Sequence, residues 1–352
     1  QWTRMNAERF ATLTGQYPKL RIAVVGDFCL DRYLEIDPTK AETSIETGLP
    51  VYNVVKVRAQ PGGAGTVLNN LVALGVGEIF PVGFIGDDSE GYELRRALAA
   101  LPGVQLDYLL QTSARRTFTY CKPLIVQANQ PPRELNRLDQ KNWTPTSSEV
   151  VAQLSAHLLA VADRVDGMVV LGQEDDQATG VVTPALLETL GKVVKAKPQQ
   201  MVLADSRRSL RNFPPSIFKM NAAELSALTG MTTDTSLEAI GAAAVRLAQQ
   251  NQRPVFVTLS ERGILGATPE GQIEHLPALP LRGEIDIVGA GDSVSANLLA
   301  ALLSGATLRE ALTLANAASS IVIHQLGTTG TANVAQLQDL VLAEPAKATD
   351  QQ

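Results

Sequence analysis

The chain has 352 residues, of which 45% are hydrophobic and 19% are charged, and its formal net charge is -6. This length and apolar content suit one large α/β domain with a smaller appendage. The acidic balance, without a concentrated basic tract, argues against nucleic acid as the main partner. Two cysteines, Cys29 and Cys121, are too few for a disulfide framework and favour a reducing cytosol.

The sequence also argues against a membrane partner. No apolar run approaches the roughly 18 residues that a membrane-spanning helix needs, and the N-terminal stretch lacks an uninterrupted apolar core. We therefore expect a soluble, cytoplasmic protein. The predicted division is an N-terminal extension at 1–20, one main domain at 21–340, and a small, polar, flexible tail at 343–352.

Apolar runs rich in β-branched residues recur along the chain and predict buried strands at 21–27, 167–172, 200–205 and 254–260. Between them, apolar residues at helical spacing predict helices at 65–74, 147–161, 237–249 and 292–304. This alternation predicts an α/β fold with a mostly parallel sheet that is flanked by helices on both faces. Such folds bind ligands at the carboxyl ends of their strands.

Two stretches, 33–57 and 117–139, break the alternation because their strand-like pieces are not followed by an amphipathic helix. We interpret them as a small β lid whose two segments pair in space. Such a lid would leave an apolar sheet face exposed, and a second subunit would cover it. The sequence therefore predicts a homodimer through the β lid.

A Gly-Ala-Gly-Asp turn at 289–292 precedes the last of these predicted helices. Gly289 and Gly291 let backbone N–H groups crowd together, and the start of a helix attracts negative charge. Asp292 by itself is equally well interpreted as a helix cap. Other polar residues directly follow apolar runs, so we expect them at the ligand-binding strand ends. These residues are Gly26, Asp27, Asp205 and Asn221.

The two common nucleotide-binding motifs are missing from the sequence. A dinucleotide fold expects G-x-G-x-x-G after its first strand, where this chain has GDFCLD at 26–31. The phosphate loop G-x-x-x-x-G-K-[ST] does not occur. Any nucleotide would therefore be bound through another motif.

The segment DIVGAGD at 286–292 resembles the signature D-[TSV]-x-G-A-G-D of the ribokinase-like, or PfkB, carbohydrate kinases, from which only Ile287 departs. PGGAGTVLNNLVALG at 61–75 is similar to the Gly-Gly signature of that family, and NAAE at 221–224 to its N-x-x-E motif. The resemblance covers 20–335. It is greatest to the kinase domain of the bacterial heptose 7-phosphate kinase and ADP-heptose synthase group, whose nucleotidyltransferase half is not expected here.

The resemblance implies that ATP phosphorylates a hydroxyl of a small sugar or sugar phosphate. Asp292 would be the catalytic base, and Gly289, Ala290 and Gly291 would form the anion hole for the transferring phosphoryl group. Asn221 and Glu224 would organise the Mg²⁺ of Mg-ATP, largely through water. In isolation, these two residues are equally well interpreted as a helix cap.

The resemblance also implies roles for further residues. Asp31 would hold sugar hydroxyls, and the other acceptor-binding positions would be Gly62, Gly63, Thr66 and Arg137. Thr66 stands where the family usually has asparagine, which shortens one sugar contact. The ATP-binding residues would be Thr258, Ser260 and Gly263 at the phosphates and ribose, with Asn316 and Ser320 near the purine. Asn316 is equally well interpreted as a residue that packs within its helix. Asp286 and Gly327 match positions of a monovalent cation, which implies K⁺.

One departure puts the acceptor in question. Heptose kinases have D-Y-G-K-G after a central strand, whereas this chain has GQEDDQATG at 172–180. Glu174, Asp175 and Asp176 would repel a sugar phosphate unless they point outward. The cations that would replace the lysine are Arg116, Lys122, Arg137, Arg207 and Arg208. Kinases for a neutral sugar or a nucleoside are alternatives, and a non-catalytic sugar or nucleotide sensor is an alternative of another class.

Overall fold

The computed structural model describes residues 5–174, 176–230 and 235–343. Asp175 and the predicted tail from 344 onward therefore lie outside the described residues. Cys29 and Cys121 are both buried free thiols. None of the helices in the described ranges is long and apolar enough to cross a membrane.

The strands of the described residues are β1 Arg21–Gly26, β2 Phe28–Ile36, β3 Glu42–Thr43, β4 Pro50–Val51, β5 Val54–Gly63, β6 Glu78–Gly86, β7 Leu109–Thr112, β8 Phe118–Ile125, β9 Arg133–Glu134, β10 Leu138–Gln140, β11 Gly167–Gly172, β12 Met201–Ser206, β13 Ile217–Asn221, β14 Val255–Thr258, β15 Ile264–Ala267 and β16 Ile273–Leu276. The α-helices are α1 Ala7–Thr14, α2 Ala64–Ala73, α3 Ser89–Ala99, α4 Ser148–Ala162, α5 Pro184–Ala196, α6 Ala222–Thr229, α7 Leu237–Asn251, α8 Ala290–Leu303, α9 Leu308–Ile323 and α10 Val334–Leu342.

The strands and helices expected from apolar patterning are confirmed. The four apolar runs are β1, β11, β12 and β14, and the four helical patterns are α2, α4, α7 and α8. Their ends differ from the predicted ends by two residues or fewer, which is the usual uncertainty of element boundaries. Patterning succeeds here because these elements are buried, so their apolar residues follow the period of the backbone.

The chain divides into two compact units. The first comprises 1–20, 70–77 and 217–352, and the second comprises 21–69 and 78–216. In the second unit, parallel strands lie in the order β12-β11-β1-β6-β7. β1 and β11 are buried along almost their whole length, as expected for strands with both faces covered. Helices α3 and α4 pack against this sheet.

The second unit also contains the small sheet that was expected as a lid. β2 pairs antiparallel with β5 and parallel with β8, and β8 pairs antiparallel with β9 and β10. The expected pairing of the two separate segments is therefore confirmed. β2 begins at Phe28, earlier than the predicted segment, because the chain continues from β1 through the single residue Asp27.

In the first unit, β13 and β14 are parallel, whereas β15 pairs antiparallel with both β14 and β16. The strands therefore end in an antiparallel edge. Helix α9 packs against α8, α10, β15 and β16, and α1 contacts α10. The N-cap and first turn of α8 carry the Gly-Ala-Gly-Asp sequence of 289–292.

Candidate active site

Helix α8 begins with a glycine turn. Gly289 has a φ of +82°, in the left-handed region that favours glycine. Because glycine has no side chain, this N-cap position supplies no side-chain oxygen to the first-turn N–H groups. Asp292, partly exposed, lies in the same turn after Ala290 and Gly291. The helix start thus combines a carboxylate with the positive end of the helix dipole.

Asn221 and Glu224 form the capping box of α6. The Glu224 N–H donates to Asn221 Oδ1 at 2.8 Å, and the Asn221 N–H donates to Glu224 Oε2 at 2.8 Å. The structure therefore shows the helix cap that was the alternative interpretation of Asn221 and Glu224. Both side chains carry oxygen atoms, so the pair fits a magnesium ion that keeps water and nucleotide oxygens.

The turn after β14 is compact. Ser260 has a φ of +53° and Gly263 a φ of +94°, and the Gly263 N–H donates to the Ser260 carbonyl at 3.0 Å. A Cβ on Gly263 would collide with the carbonyl of Leu276. Thr258 closes β14, and its hydroxyl makes a long 3.5 Å contact with the Met220 carbonyl. Packing alone therefore requires glycine at 263, and the phosphate-binding role of this turn stays a prediction.

The two residues expected near the purine lie on α9. Asn316 donates from Nδ2 to the Pro277 carbonyl at 2.9 Å and lines a cavity of about 500 Å³ in the first unit. The Asn316 side chain thus contacts the segment that follows β16. The structure does not show it packing within its own helix. Ser320 accepts at Oγ from Arg282 Nη1 at 3.1 Å. Its hydroxyl therefore already anchors the segment that precedes α8.

The candidate cation residues lie on either side of the α8 start in sequence. Asp286 Oδ1 accepts from the Val288 N–H at 3.0 Å, and the Asp286 N–H donates to the Ile323 carbonyl at 2.7 Å. Gly327 has a φ of +72°. These contacts fix the backbone at Asp286, and they leave the K⁺ site a prediction.

In the second unit, Asp31 is buried in the middle of β2, with 8% of its surface exposed. Its neighbours across the sheet are Gln60 on β5 and Tyr120 on β8. A Cβ on Gly62 would lie 2.5 Å from Asp31 Oδ2. Glycine at 62 therefore gives the Asp31 carboxylate its space, and Gly63, with a φ of +59°, continues into the start of α2.

Burial raises the pKa of Asp31, and three cations, Lys122, Arg207 and Arg137, oppose this rise. Arg137 pairs with Asp139 at 2.6 Å and lies over the ring of Tyr120, 5.2 Å from its centroid. Three of the cations that the sequence suggested are thus near the candidate acceptor residue. Arg116 instead donates to Gln140 Oε1 at 2.9 Å. Thr66 is buried in the first turn of α2.

Asp27 was expected among the ligand-binding polar groups, but the structure uses its carboxylate to hold the chain. Oδ2 accepts from the N–H groups of Gln173 and Glu174 at 2.9 and 3.1 Å, and Oδ1 accepts from the Val181 N–H at 2.7 Å. Burial raises the pKa of Asp27, and these three N–H donors oppose the rise. The carboxylate therefore fixes both ends of the acidic segment after β11. A Cβ on Gly26 would collide with the Leu171 carbonyl, which explains that glycine by packing.

The acids of this segment point in different directions. Asp176 is exposed and accepts from the Ala178 N–H at 3.0 Å, as the cap of a short turn. Glu174 is buried, with 6% of its surface exposed, and accepts from the Tyr120 hydroxyl at 3.2 Å. The condition that these acids point outward is thus met by Asp176 and not by Glu174.

Sequence reasoning missed Gln173, which is 6% exposed and lies next to a predicted acceptor-binding glycine. Its Cγ is 3.5 Å from the position of a Cβ on Gly63. Its Oε1 is buried without a hydrogen-bond partner among the described residues, and such an acceptor is costly unless a ligand or water satisfies it. The only signal in the sequence was a polar residue immediately after a buried strand.

A cavity of about 320 Å³ lies at the carboxyl ends of β11 and β12 in the second unit. Buried Glu174 and Asp27 line one part of it. Another part is polar and includes two exposed arginines, Arg208 and Arg211, with Ser206, Ser209 and Asn212. Acceptor-side candidates thus all lie in the second unit, whereas Asp292, the capping box and the other nucleotide-side candidates lie in the first.

The sequence is similar to a protein-family model and to several named proteins. A family model described as pfkB family carbohydrate kinase matches residues 19–334. The protein named bifunctional protein HldE of Gluconacetobacter diazotrophicus is 32% identical over 337 residues, covering 94% of this chain and 66% of the relative. The protein of the same name from Bradyrhizobium sp. is 30% identical over 349 residues, covering 97% and 67%. The chain thus spans about two thirds of the length of these relatives.

Solved structures show the same fold. Arabidopsis thaliana ribokinase, complexed with ribose and ATP, has a TM-score of 0.66 at 20% identity, covering 92% of this chain and 99% of that one. Phosphofructokinase-2 from Escherichia coli, in complex with potassium, has a TM-score of 0.67 at 20% identity, covering 92% and 98%. The predicted ribokinase-like fold class is confirmed.

Proposed function

Because the chain belongs to the pfkB family of carbohydrate kinases and is an ATP-dependent sugar kinase, we propose that it phosphorylates a hydroxyl of a sugar phosphate of the heptose 7-phosphate type. The observation that carries the proposed chemistry is the start of α8, where Asp292 shares one helical turn with the glycine N-cap. A carboxylate beside an anion-attracting helix start suits transfer of a phosphoryl group to a hydroxyl.

In the proposed mechanism, Asp292 accepts the proton of the acceptor hydroxyl as its oxygen bonds to the γ-phosphorus of ATP. The bond from this phosphorus to the β–γ bridging oxygen breaks, and that oxygen leaves with ADP. The turn at Gly289, Ala290 and Gly291 stabilises the charge on the phosphoryl group through backbone N–H groups and the helix dipole. A positioned base contributes about 10²–10⁴ in rate.

Mg²⁺ bound with ATP would neutralise phosphate charge, and Asn221 and Glu224 are the residues that would hold it through water. Their side-chain oxygens, held by the capping box, support this role. For K⁺, the proposed residues are Asp286 and Gly327, supported by the fixed backbone at Asp286. Activity in KCl compared with tetramethylammonium chloride, at equal ionic strength, tests the K⁺ site.

The acceptor is proposed to bind in the second unit, where Asp31 accepts bonds from its hydroxyls. Lys122, Arg137 and Arg207 near Asp31 and the arginines of the 320 Å³ cavity support an acceptor that carries a phosphate. Glu174 accepts from Tyr120, so its charge is partly compensated by a donor. The buried carboxylate nevertheless favours the alternative of a neutral sugar, which would need no cations.

ADP release from Mg-ATP, measured with heptose 7-phosphate, fructose, ribose and nucleosides, tests this proposal. We expect turnover with heptose 7-phosphate and a loss of about 10²-fold or more in Asp292→Asn. The double variant Arg208→Ala/Arg211→Ala should raise KM for the phosphorylated acceptor by about tenfold or more, whereas Arg246→Ala, on the exposed face of α7, is the matched control. Turnover with a neutral sugar alone would reject the sugar-phosphate assignment, and ATP binding without turnover on any acceptor would favour the sensor.

We also propose that two copies of the chain associate through the small sheet. Its strands expose large apolar side chains, including Val54, Val57 and Leu138, which are 44%, 53% and 63% exposed. Exposed apolar side chains on a small sheet favour burial against a second copy. The two buried thiols, Cys29 and Cys121, suit the reducing cytoplasm proposed for the protein.

A further inference from the structure

A lysine interrupts the run of buried apolar side chains in β13. Lys219 is 7% exposed and lies between the buried residues Phe218 and Met220. A Cβ on Gly291 would lie only 2.9 Å from Lys219 Nζ. The fold therefore places a buried ammonium group against the first turn of α8. Burial of a charge is costly, so a lysine in this position needs a compensating interaction.

The place of the ammonium follows from the position of Gly291 in the helix. Gly291 is the second residue of α8, so Lys219 Nζ, which is close to its Cβ position, lies beside the first turn. The N–H groups without a partner within the helix and the positive end of the helix dipole belong to the same turn. Lys219 and the helix start thus place positive charge at one turn.

Positive charges gathered at one place raise each other's free energy, and an anion bound there lowers it. Asp292 supplies one negative charge in this turn. The transferring phosphoryl group would supply more, spread over its oxygens. We infer that the Lys219 ammonium binds the γ-phosphoryl group as it passes from ATP to the acceptor. This inference rests on the proposed kinase function.

The same geometry gives a reason for glycine at 291. Ala290, Gly291 and Asp292 are all within the helix, where alanine is favoured over glycine. An alanine at 291 would place its methyl group 2.9 Å from the flexible end of Lys219, and the ammonium would move away. Gly291→Ala therefore displaces the charge that Lys219→Met removes. Both variants should weaken the binding of the γ-phosphoryl group.

Titration calorimetry with Mg-ATP and Mg-ADP tests the inference without an acceptor. In Lys219→Met we expect the affinity for ATP to fall about tenfold while the affinity for ADP changes less than about twofold, because only ATP carries the γ-phosphoryl group. With the acceptor that the wild type uses, kcat should fall about 10²-fold. Lys219→Arg keeps the charge and should recover part of that loss. Lys195→Met, at an exposed position of α5, is the matched control.

A purely structural lysine, one that ties β13 to α8, would weaken ATP and ADP equally on substitution and would lower the melting temperature. Equal losses for the two nucleotides, or no loss for either, would overturn the inference. If Lys219→Met does not fold, the same comparison in Lys219→Gln decides, because glutamine removes the charge and keeps a polar side chain. Absence of turnover in the wild type would refute the proposed function, while the comparison of ATP with ADP would still decide the role of Lys219.

Discussion

The hydroxyl of Tyr120 donates a hydrogen bond of 3.2 Å to Oε1 of Glu174, which joins β8 to the segment after β11. Burial raises the pKa of Tyr120, and the negative charges of Cys29, when ionised, and Glu174 add to the rise. The phenol therefore stays protonated and acts as a donor. Tyr120 is also the neighbour of Asp31 across the β2–β8 pair, so the bond holds a buried carboxylate near the candidate acceptor residue.

Tyr120→Phe should weaken acceptor binding and leave ATP binding unchanged. The variant removes one donor of Glu174, and a buried carboxylate that loses a donor moves or recruits water. We expect KM for the acceptor to rise about tenfold, which corresponds to the loss of one hydrogen bond to a charged group. Tyr33→Phe, in the neighbouring strand of the same sheet, is the matched control. An unchanged KM in Tyr120→Phe would show that the Glu174 position does not matter to the acceptor.

Gly62→Ala tests the space around Asp31. The added methyl group would lie 2.5 Å from Asp31 Oδ2 and 2.6 Å from its Cγ, so the carboxylate has to move. A displacement of this kind can cost about 10²-fold in rate, and we expect kcat/KM for the acceptor to fall by about this factor while KM for ATP is kept. In the control, Gly191→Ala on α5, the methyl group meets only Pro214 Cβ at 3.8 Å. Comparable activity in the two variants would remove Asp31 from the acceptor site.

Asp31→Asn should make the folded protein more stable at neutral pH. Burial raises the pKa of Asp31 above that of an unfolded carboxyl, so ionisation costs the folded state more than the unfolded state. This cost is absent below about pH 3.9, where both states are protonated, and it grows as pH rises through the folded-state pKa. The melting temperature of Asp31→Asn should therefore exceed that of the wild type at pH 7, and the difference should vanish toward the acid end.

That result would mean that the protein keeps a destabilising carboxylate for binding. Activity with the acceptor should be lost in the same variant. A variant that is less stable at pH 7 would instead show that the attraction of Lys122, Arg137 and Arg207 outweighs the cost of burial, and that Asp31 has a structural role.

The sequence allowed the buried framework to be predicted, because buried strands and helices carry their period in the apolar residues. β1, β11 and α8 were found in this way. Pairing between distant segments was harder, since nothing local specifies a partner strand. The small sheet was expected from an interrupted pattern, but the alignment of Asp31 with Tyr120 across β2 and β8 required the structure.

The roles of several residues in the candidate site could not be predicted from the sequence. Motif resemblance indicated Asp31 and Asp292 but gave Asp27 no role of its own, because three N–H donors from distant residues meet its carboxylate only after folding. Gln173 had no pattern to identify it. Lys219 did leave a signal, a single charge within an apolar strand, and its meaning emerged only from its position beside Gly291.

Val57→Asp tests association through the small sheet. Val57 lies on β5 with 53% of its surface exposed, and a buried unpaired carboxylate at an interface would cost several kcal/mol, on the order of 3–5. Light scattering at micromolar concentration should give the mass of a dimer for the wild type and of a monomer for the variant. Leu159→Asp, on α4 and 48% exposed, should stay dimeric. A monomeric wild type, or a dimer that survives Val57→Asp and Leu138→Asp together, would rule out the small sheet as the interface.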